Sequence, residues 1–314
     1  MILSCGDALI DFVPVASIDG GEAVRPVVGG SCLNIAVGLA RLGVPTGFVG
    51  GIATDVFGRM IAQHAEDSNV DLRFATRSDR QTTLAFVRIV GGESQYAFYD
   101  AQTASREWTY QRGSISFAGI GAVHVGSTTL VNENGAVETQ ALIADARPTS
   151  TISFDPNCRP NLVKDKAAYL EGMQAFAASA DIVRMSDVDF LYLYGNEPYA
   201  DRAAALFACG VTLFVVTRGT EGAEAWHRKA GFITAEAPKI DVVDTIGAGD
   251  SFQAALLASL HRQGRLARDA LEDVSADELR RALYFACGCA ALTCTRMGAD
   301  PPRSGEAPRG ESGQ

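Results

Sequence analysis

The chain predicts an α/β fold: a mostly parallel central sheet flanked by helices on both faces, with a small β-sheet projecting from it. Three observations lead there. Short apolar runs alternate with helix-period runs for most of the length, the pattern of right-handed strand–helix–strand units. The strand runs are apolar without alternation, as expected where helices cover both faces of a sheet. Two stretches carry β patterning with no helix between, which sets aside a second, smaller sheet.

In chain order, strands are predicted at residues 2–5, 46–49, 122–125, 151–155, 181–185 and 213–217. Helices are predicted between them at 31–42, 55–67, 133–145, 166–178 and 201–209. Residues 9–28 are rich in Val, Ile and Pro. Residues 82–110 alternate, carry Tyr96, Phe98 and Trp108, and turn at Gly91-Gly92, so they read as an antiparallel hairpin. These two stretches form the expected lid, and residues 1–8, 29–81 and 111–300 the main domain. A strand-like run at 240–243 leads toward a helix at 252–262. Residues 301–314, rich in Pro, Gly, Ser and charge, are expected to be a disordered tail.

With 314 residues, 47% of them hydrophobic, the chain can build a sizeable core. Its 27 basic and 37 acidic side chains leave a formal charge of −10, which argues against a nucleic-acid partner. A bound polyphosphate must then be held by local donors and a metal, not by the global field. No run approaches the ~20 apolar residues of a membrane span, and no basic, apolar leader is visible, so no membrane partner is expected. Seven cysteines lie mostly in apolar runs without a C-x-x-C pair, which reads as a reduced, cytoplasmic protein. His64, His124, His227 and His261 show no metal spacing.

The segment Asp244-Thr245-Ile246-Gly247-Ala248-Gly249-Asp250-Ser251-Phe252 carries the most chemistry. Glycines at a helix mouth let the backbone approach an anion, and the helix start supplies unpaired N–H groups and a partial positive charge. A Rossmann fingerprint needs Gly at 252 and a P-loop needs Gly-Lys-Ser/Thr; neither is present. Asp250 sets a carboxylate beside that anion site, a costly arrangement that suits a base taking a proton from an attacking hydroxyl. The helix dipole is expected to keep Asp250 ionised. A first-turn acid that merely complements the dipole is the plainer account, but it leaves two glycines unexplained.

Five further segments offer polar groups. Gly29-Gly30-Ser31-Cys32-Leu33-Asn34 opens a helix apolar nearly all round, with Ser31 as a natural N-cap. Asn34 then needs partners, from a neighbouring loop or from a polyol. Asp7 and Asp11 follow the first strand, where ligands bind in open α/β sheets. Asp7 could accept bonds from adjacent sugar hydroxyls or cap a turn. Asp155-Pro156-Asn157-Cys158-Arg159-Pro160 is a stiff loop presenting Arg159, a bidentate phosphate donor; a structural Asp–Arg turn is the rival. Ser186-Asp187-Val188-Asp189 is close to a capping box, or its acid could organise water around Mg²⁺. Thr217, Gly219 and Gly222 could let a nucleotide lie against the backbone, or make a strand-to-strand turn.

Together these residues resemble the ribokinase-like, or PfkB, carbohydrate kinases, from Gly6 to about Ala299. The 244–252 element resembles that family's second signature. Gly29-Gly30-x-x-x-Asn34-x-Ala36 with Ala40-Arg41-Leu42-Gly43 resembles its first. The resemblance implies a ribokinase-like three-layer sandwich with a small β-sheet lid, ATP and Mg²⁺ as cofactors, and K⁺ as a further candidate near the anion hole. It implies Asp250 as base, with the amides of Gly247, Ala248 and Gly249 as anion hole. Asp7, Asp11, Gly29, Gly30, Asn34, Tyr96, Phe98 and Arg159 would serve the sugar. Thr217, Gly219, Gly222, Thr245, Gly247 and Gly249 would line the nucleotide. Asp189 stands where the family carries the Glu of its magnesium motif, so it would act through water. Ala290–Ala299 resembles the adenine-side segment.

Residues 8–14 and 153–160 resemble fructokinases most, and the second also resembles 2-keto-3-deoxygluconate kinases. Asp100 after Tyr99 departs from the Arg common in fructokinases, and as an acidic lid group it disfavours an anionic substrate. The expected activity is ATP-dependent phosphorylation of a sugar hydroxyl, fructose to fructose 6-phosphate. Ketodeoxygluconate or nucleoside kinases and a catalytically idle sugar- or nucleotide-binding regulator are the alternatives. A homodimer through the lid is expected.

Overall fold

The computed structural model describes residues 1–16, 21–90 and 93–308. The chain starts with β1 (Ile2–Cys5) and the antiparallel pair β2 (Leu9–Ala16) and β3 (Glu22–Gly29). Helix α1 (Ser31–Arg41) leads to β4 (Thr46–Ala53), α2 (Val56–Asp67), and the short β5 (Val70–Asp71) and β6 (Ala75–Ser78). A second pair, β7 (Thr83–Val90) and β8 (Glu93–Tyr99), precedes β9 (Ala122–Gly126) and α3 (Glu133–Ala146). Then follow β10 (Thr151–Asp155), α4 (Lys166–Ser179), β11 (Ile182–Ser186), α5 (Asp187–Tyr194), α6 (Tyr199–Ala208) and β12 (Leu213–Thr217). The chain continues with β13 (Ala223–His227), β14 (Gly231–Ala235), α7 (Ala248–Arg262), α8 (Arg268–Glu272) and α9 (Ala276–Cys294).

The large sheet has ten strands in the order β14-β13-β12-β11-β10-β9-β1-β4-β5, with β6 on β4. It is parallel from β12 through β5, and only the β13–β14 edge is antiparallel. Side chains alternate between two covered faces. Leu213 and Val215 pack with Ile35 and Leu39 of α1 and Leu256 of α7. Phe214 and Val216 turn the other way, into a core with Phe154 of β10, Phe176 of α4 and Phe190 of α5. Each fully buried Leu, Ile or Phe contributes about 1.5–3 kcal/mol, so a run apolar on both faces is stable only between two helical layers.

Helix α1 is buried at every residue from Ser31 to Ala40. It packs against α7, where Gly38 lacks the Cβ that would come within 2.8 Å of Ala254. Gly30, not Ser31, sits at its N-cap, with φ of 103°.

The small sheet has four strands in the order β3-β2-β7-β8, two antiparallel pairs joined by a parallel β2–β7 contact. Its period-two pattern gives it two faces. Leu9, Asp11, Val13, Val87, Tyr96 and Phe98 face a cleft. On the opposite face, Phe12 stacks on Phe86 at 4.6 Å and meets Phe57 of α2 edge-on at 5.6 Å.

Several expectations differ from the structure. The run at 240–243 is not a strand; the Val243 amide donates to the Cys294 carbonyl at 2.8 Å, at the end of α9, and Val242 and Val243 stay exposed. Residues 100–110 do not belong to the small sheet, and Trp108 and Tyr110 are buried in the main core. In the tail, residues 301–308 are placed against the main domain: Pro301 and Pro302 are buried and the Ser304 amide donates to the Arg41 carbonyl at 2.9 Å. The Gly91-Gly92 turn and residues 309–314 lie outside the described residues.

Asp55 joins the two sheets. Its carboxylate caps α2 through the Gly58 amide at 2.7 Å and also accepts from the Thr82 amide at 2.9 Å and the Thr82 hydroxyl at 2.6 Å. Asp55→Ala is expected to cost about 1–2 kcal/mol, the range for a lost N-cap. Chemical denaturation followed by circular dichroism measures it.

Candidate active site

Helix α7 begins against the carboxyl ends of the parallel strands. Gly247 makes the turn into it with φ of 75°, a conformation that favours glycine. The amides of Gly247 and Gly249 donate to no acceptor among the described residues, whereas the Ala248 amide donates to the Thr245 carbonyl at 3.3 Å. In front of this helix start lies a cleft of about 540 Å³, roofed by the small sheet. Unpaired amides at a helix start with open space before them can hold an anion.

Asp250 is buried at the floor of the cleft. One carboxylate oxygen accepts from the Ser31 hydroxyl at 2.6 Å, the other from the Asn34 amide nitrogen at 2.8 Å. Asn34 thus has Asp250 as one partner, which the sequence did not offer, and it also lines the cleft. The Ser31 hydroxyl in turn accepts from the Asn157 amide nitrogen at 3.2 Å. Burial raises the Asp250 pKa; the Ser31 and Asn34 bonds pull it back and the Asp155 charge adds to the rise. The dipole alone thus does not fix its charge, and its proton affinity exceeds that of an ordinary carboxylate.

Asp7 lines the cleft, but its own oxygens are engaged. One accepts from the Cys32 amide at 3.1 Å, the other from the Ser127 and Thr128 hydroxyls at 2.8 and 3.0 Å. Asp7 thus helps to cap α1, a partner the sequence did not name. Asp11 lies between the two sheets, and Gly29 is glycine because a Cβ there would come within 2.1 Å of the Asp11 carboxylate. Burial pushes Asp11 from 3.8 to about 7, helped by Asp7 and Asp250 and opposed by Arg159. Arg159 holds its loop through the Asn157 and Cys158 carbonyls at 3.2 and 3.0 Å and reaches the cleft. Tyr96 and Phe98 stack at 5.9 Å on the roof.

Other expected residues stay away from this cleft. Gly219 and Gly222 take φ of 52° and 94° in the turn between β12 and β13, and the Thr217 hydroxyl accepts from Arg184 at 2.6 Å. Asp189 forms a capping box with Ser186 and accepts from the Cys158 amide at 3.0 Å. Among the described residues no group of three or more His, Cys, Asp or Glu could hold a metal. Asp100 pairs with Arg106, whose guanidinium also donates to the Thr128 carbonyl. The charge of Asp100 is thus neutralised within the loop, which removes it as an objection to an anionic substrate.

Sequence reasoning missed Arg25, Ser127 and Thr128, all on the cleft wall. For Ser127 and Thr128 a signal existed: they directly follow Gly126 at a strand end.

An anion seat, a buried carboxylate beside it and a roofed polar cleft place the chain among α/β phosphotransferases acting on small polar acceptors. The family follows from comparison. The description "pfkB family carbohydrate kinase" matches residues 1–304, and the chain belongs to that family. It is 36% identical to a fructokinase of Rhizobium leguminosarum bv. trifolii over 284 residues, covering 89% of this chain and 86% of that one. It resembles a fructokinase of Xylella fastidiosa solved with bound ATP, with TM-score 0.85, 27% identity and coverage of 95% and 93%. It also resembles a fructokinase double mutant of Vibrio cholerae O395 bound to fructose, ADP and potassium ion, with TM-score 0.80, 26% identity and coverage of 95% and 93%. Among the described residues no helix is long and apolar enough to cross a membrane.

The position of Asp11 makes stability pH-dependent. Its pKa is raised in the fold, so its contribution is full below 3.8 and is lost as pH rises through about 7. Asp11→Asn removes that loss. The melting temperature of the variant relative to the parent is expected to rise from about pH 4 to about pH 8, as read by calorimetry.

Proposed function

We propose that this chain transfers the γ-phosphoryl group of ATP to the 6-hydroxyl of fructose, giving fructose 6-phosphate and ADP. The carrying observation is Asp250, a buried carboxylate of raised proton affinity adjoining the free amides of Gly247 and Gly249. The fructokinases to which the chain is similar support the choice of sugar.

The sugar lies between the carboxyl edge and the small sheet. Asp11, Asn34 and Arg159 meet its hydroxyls, and Tyr96 and Phe98 cover its apolar side. Asp250 takes the proton as the sugar oxygen bonds to phosphorus and the bond to the β-phosphate oxygen breaks. The α7 amides hold the charge on the transferring group. Closure of the small sheet excludes water, which limits hydrolysis of ATP. The nucleotide runs from the α7 entrance past Thr245.

Mg²⁺ carried with ATP would offset the charge of the phosphates. Asp189 fits contact through water only: one oxygen is held by the Cys158 amide and the other has a single 3.5 Å contact, to the Ser186 amide. K⁺ would sit by the Asp244 carboxylate, which ties the Ile246 and Gly298 amides at 3.0 and 2.8 Å. The potassium-bound Vibrio relative supports K⁺ as a ligand of the family member proposed here. The unpaired cysteines among the described residues fit the cytoplasm.

Asp250→Asn is expected to lower kcat by roughly 10²–10⁴, typical of a lost general base, with little change in ATP affinity. Near-normal turnover would remove Asp250 from this role. A coupled ADP assay over a panel of sugars is expected to favour fructose. Preference for ketodeoxygluconate or a nucleoside overturns the choice of acceptor, and tight binding of ATP and sugar without ADP formation overturns catalysis.

The outer face of the small sheet leaves Val24, Phe86 and Tyr99 exposed, at 48%, 38% and 64%. A second copy of this chain covers it, because an exposed apolar face beside an open edge strand carrying aromatic residues, β8, is an aggregation risk in a monomer. Sedimentation is expected to show a dimer that Phe86→Asp with Tyr99→Asp converts to monomer.

A further inference from the structure

The sequence reads Gly249 as a residue without a Cβ so that an anion can approach from the front. The structure shows what occupies that space from behind. Gly249 lies inside α7, where its helical backbone does not call for glycine. A Cβ built there would stand 3.1 Å from both terminal nitrogens of Arg184. The missing side chain admits a cation.

Arg184 is 4% exposed and sits on β11. One terminal nitrogen donates to Asp155 of β10 at 2.6 Å, the other to Thr217 of β12 at 2.6 Å. Its guanidinium lies 5.5 Å from the Phe252 ring centroid. Its Nε has no hydrogen-bond partner among the described residues. The fork thus spans three adjacent strands and aims its edge at the first turn of α7. A buried Arg is costly, and a hydrophobic replacement of the whole pair often serves stability as well or better. Stability alone therefore gives little reason to keep one here. The pair is also oriented. Asp155 leads through Asn157 and Ser31 toward Asp250, while Arg184 backs Gly249.

We propose that Arg184 is a positioning residue for phosphoryl transfer: its guanidinium, packed behind Gly249, fixes the first turn of α7 and strengthens its hold on the transferring phosphoryl group. This rests on the reading of the α7 entrance as the phosphoryl seat. Thr217 then acts on the nucleotide indirectly, by holding Arg184, which explains why a residue expected at the nucleotide lies off the cleft wall. A fixed charge behind preorganised amides acts most on the state with most charge on the moving group.

Two variants test it. Arg184→Lys keeps the charge and loses the fork. Asp155→Asn with Arg184→Met removes both charges, so neither is left buried alone. With folding checked by circular dichroism and melting temperature, kcat is expected to fall about tenfold in the first and about a hundredfold in the second, the scale of one lost stabilising donor. Calorimetry with a β,γ-imido ATP analogue and with ADP is expected to show the loss concentrated in the analogue. A purely structural role would lower the melting temperature and leave kcat per folded molecule and the analogue-to-ADP affinity ratio unchanged; that result overturns the proposal. If the double variant does not fold, Arg184→Lys decides by the same two readouts. Should Asp250→Asn be fully active, the reading of the entrance itself fails. Should Asp250→Asn be inactive while folded Arg184 variants behave as the parent, only this inference fails.

Discussion

The structure is organised around one buried carboxylate. Asp250 cannot stay buried without donors, because an unpaired charge in a dry interior is far more costly than any single packing contact. The donors are Ser31 and Asn34, two residues of a helix more than 200 positions away in sequence. Satisfying Asp250 therefore brings the start of α1 to the start of α7. Asp7 then satisfies the first amides of α1, and Ser127 and Thr128 satisfy Asp7. One requirement, met in sequence, places the ends of β1, β9 and β10 around a common space. The cleft is what remains between those ends and the small sheet.

The same logic explains why so many polar groups gather at one edge of the large sheet. On the face toward α7, the strands carry apolar residues such as Leu213 and Val215, with Arg184 at the middle of β11 and Asp155 and Thr217 at the carboxyl ends of β10 and β12. A polar group within the sheet must find a partner there, as Arg184 does in Asp155 and Thr217 and His124 does in Ser153. At the edge, the open start of a helix offers amides, and side chains can pair with one another. Burial, pairing and the helix start together produce an electrostatically graded floor, with Asp155 nearer Asp250 and Arg184 behind Gly249. Catalysis by preorganisation needs such a floor, since groups already fixed need not reorient as charge moves.

The small sheet adds a second constraint. Its alternation turns Asp11, Tyr96 and Phe98 toward the cleft and Phe12 and Phe86 away. Because the register is set by period two, a slip of one residue would exchange these faces. Asp55, which bonds Thr82 while capping α2, pins one entry to that sheet. The roof is thus attached by few polar bonds and an aromatic stack, a lighter attachment than the core beneath it.

The sequence by itself determined the large elements. Runs apolar on both faces could only be strands covered by helices, and the glycine-flanked Asp250 could only open a helix. These follow from local periodicity and local backbone freedom, which a linear chain displays. Elements whose character comes from neighbours were not legible. Residues 240–243 look like a strand, yet the Val243 amide is taken by the Cys294 carbonyl at the end of α9. Residues 301–308 look disordered, yet Arg41 and the buried prolines hold them. Trp108 and Tyr110 continue an alternating pattern, yet they enter the main core. Among site residues, the sequence named Asp250, Asn34 and Asp7 but not who bonds whom. It read Gly249 only by the anion its amide could meet, and not by Arg184, which packs where a Cβ would stand. Which partner satisfies a buried polar group depends on distances between segments remote along the chain. Those distances exist only once the layers have packed, so the tertiary structure alone decided them.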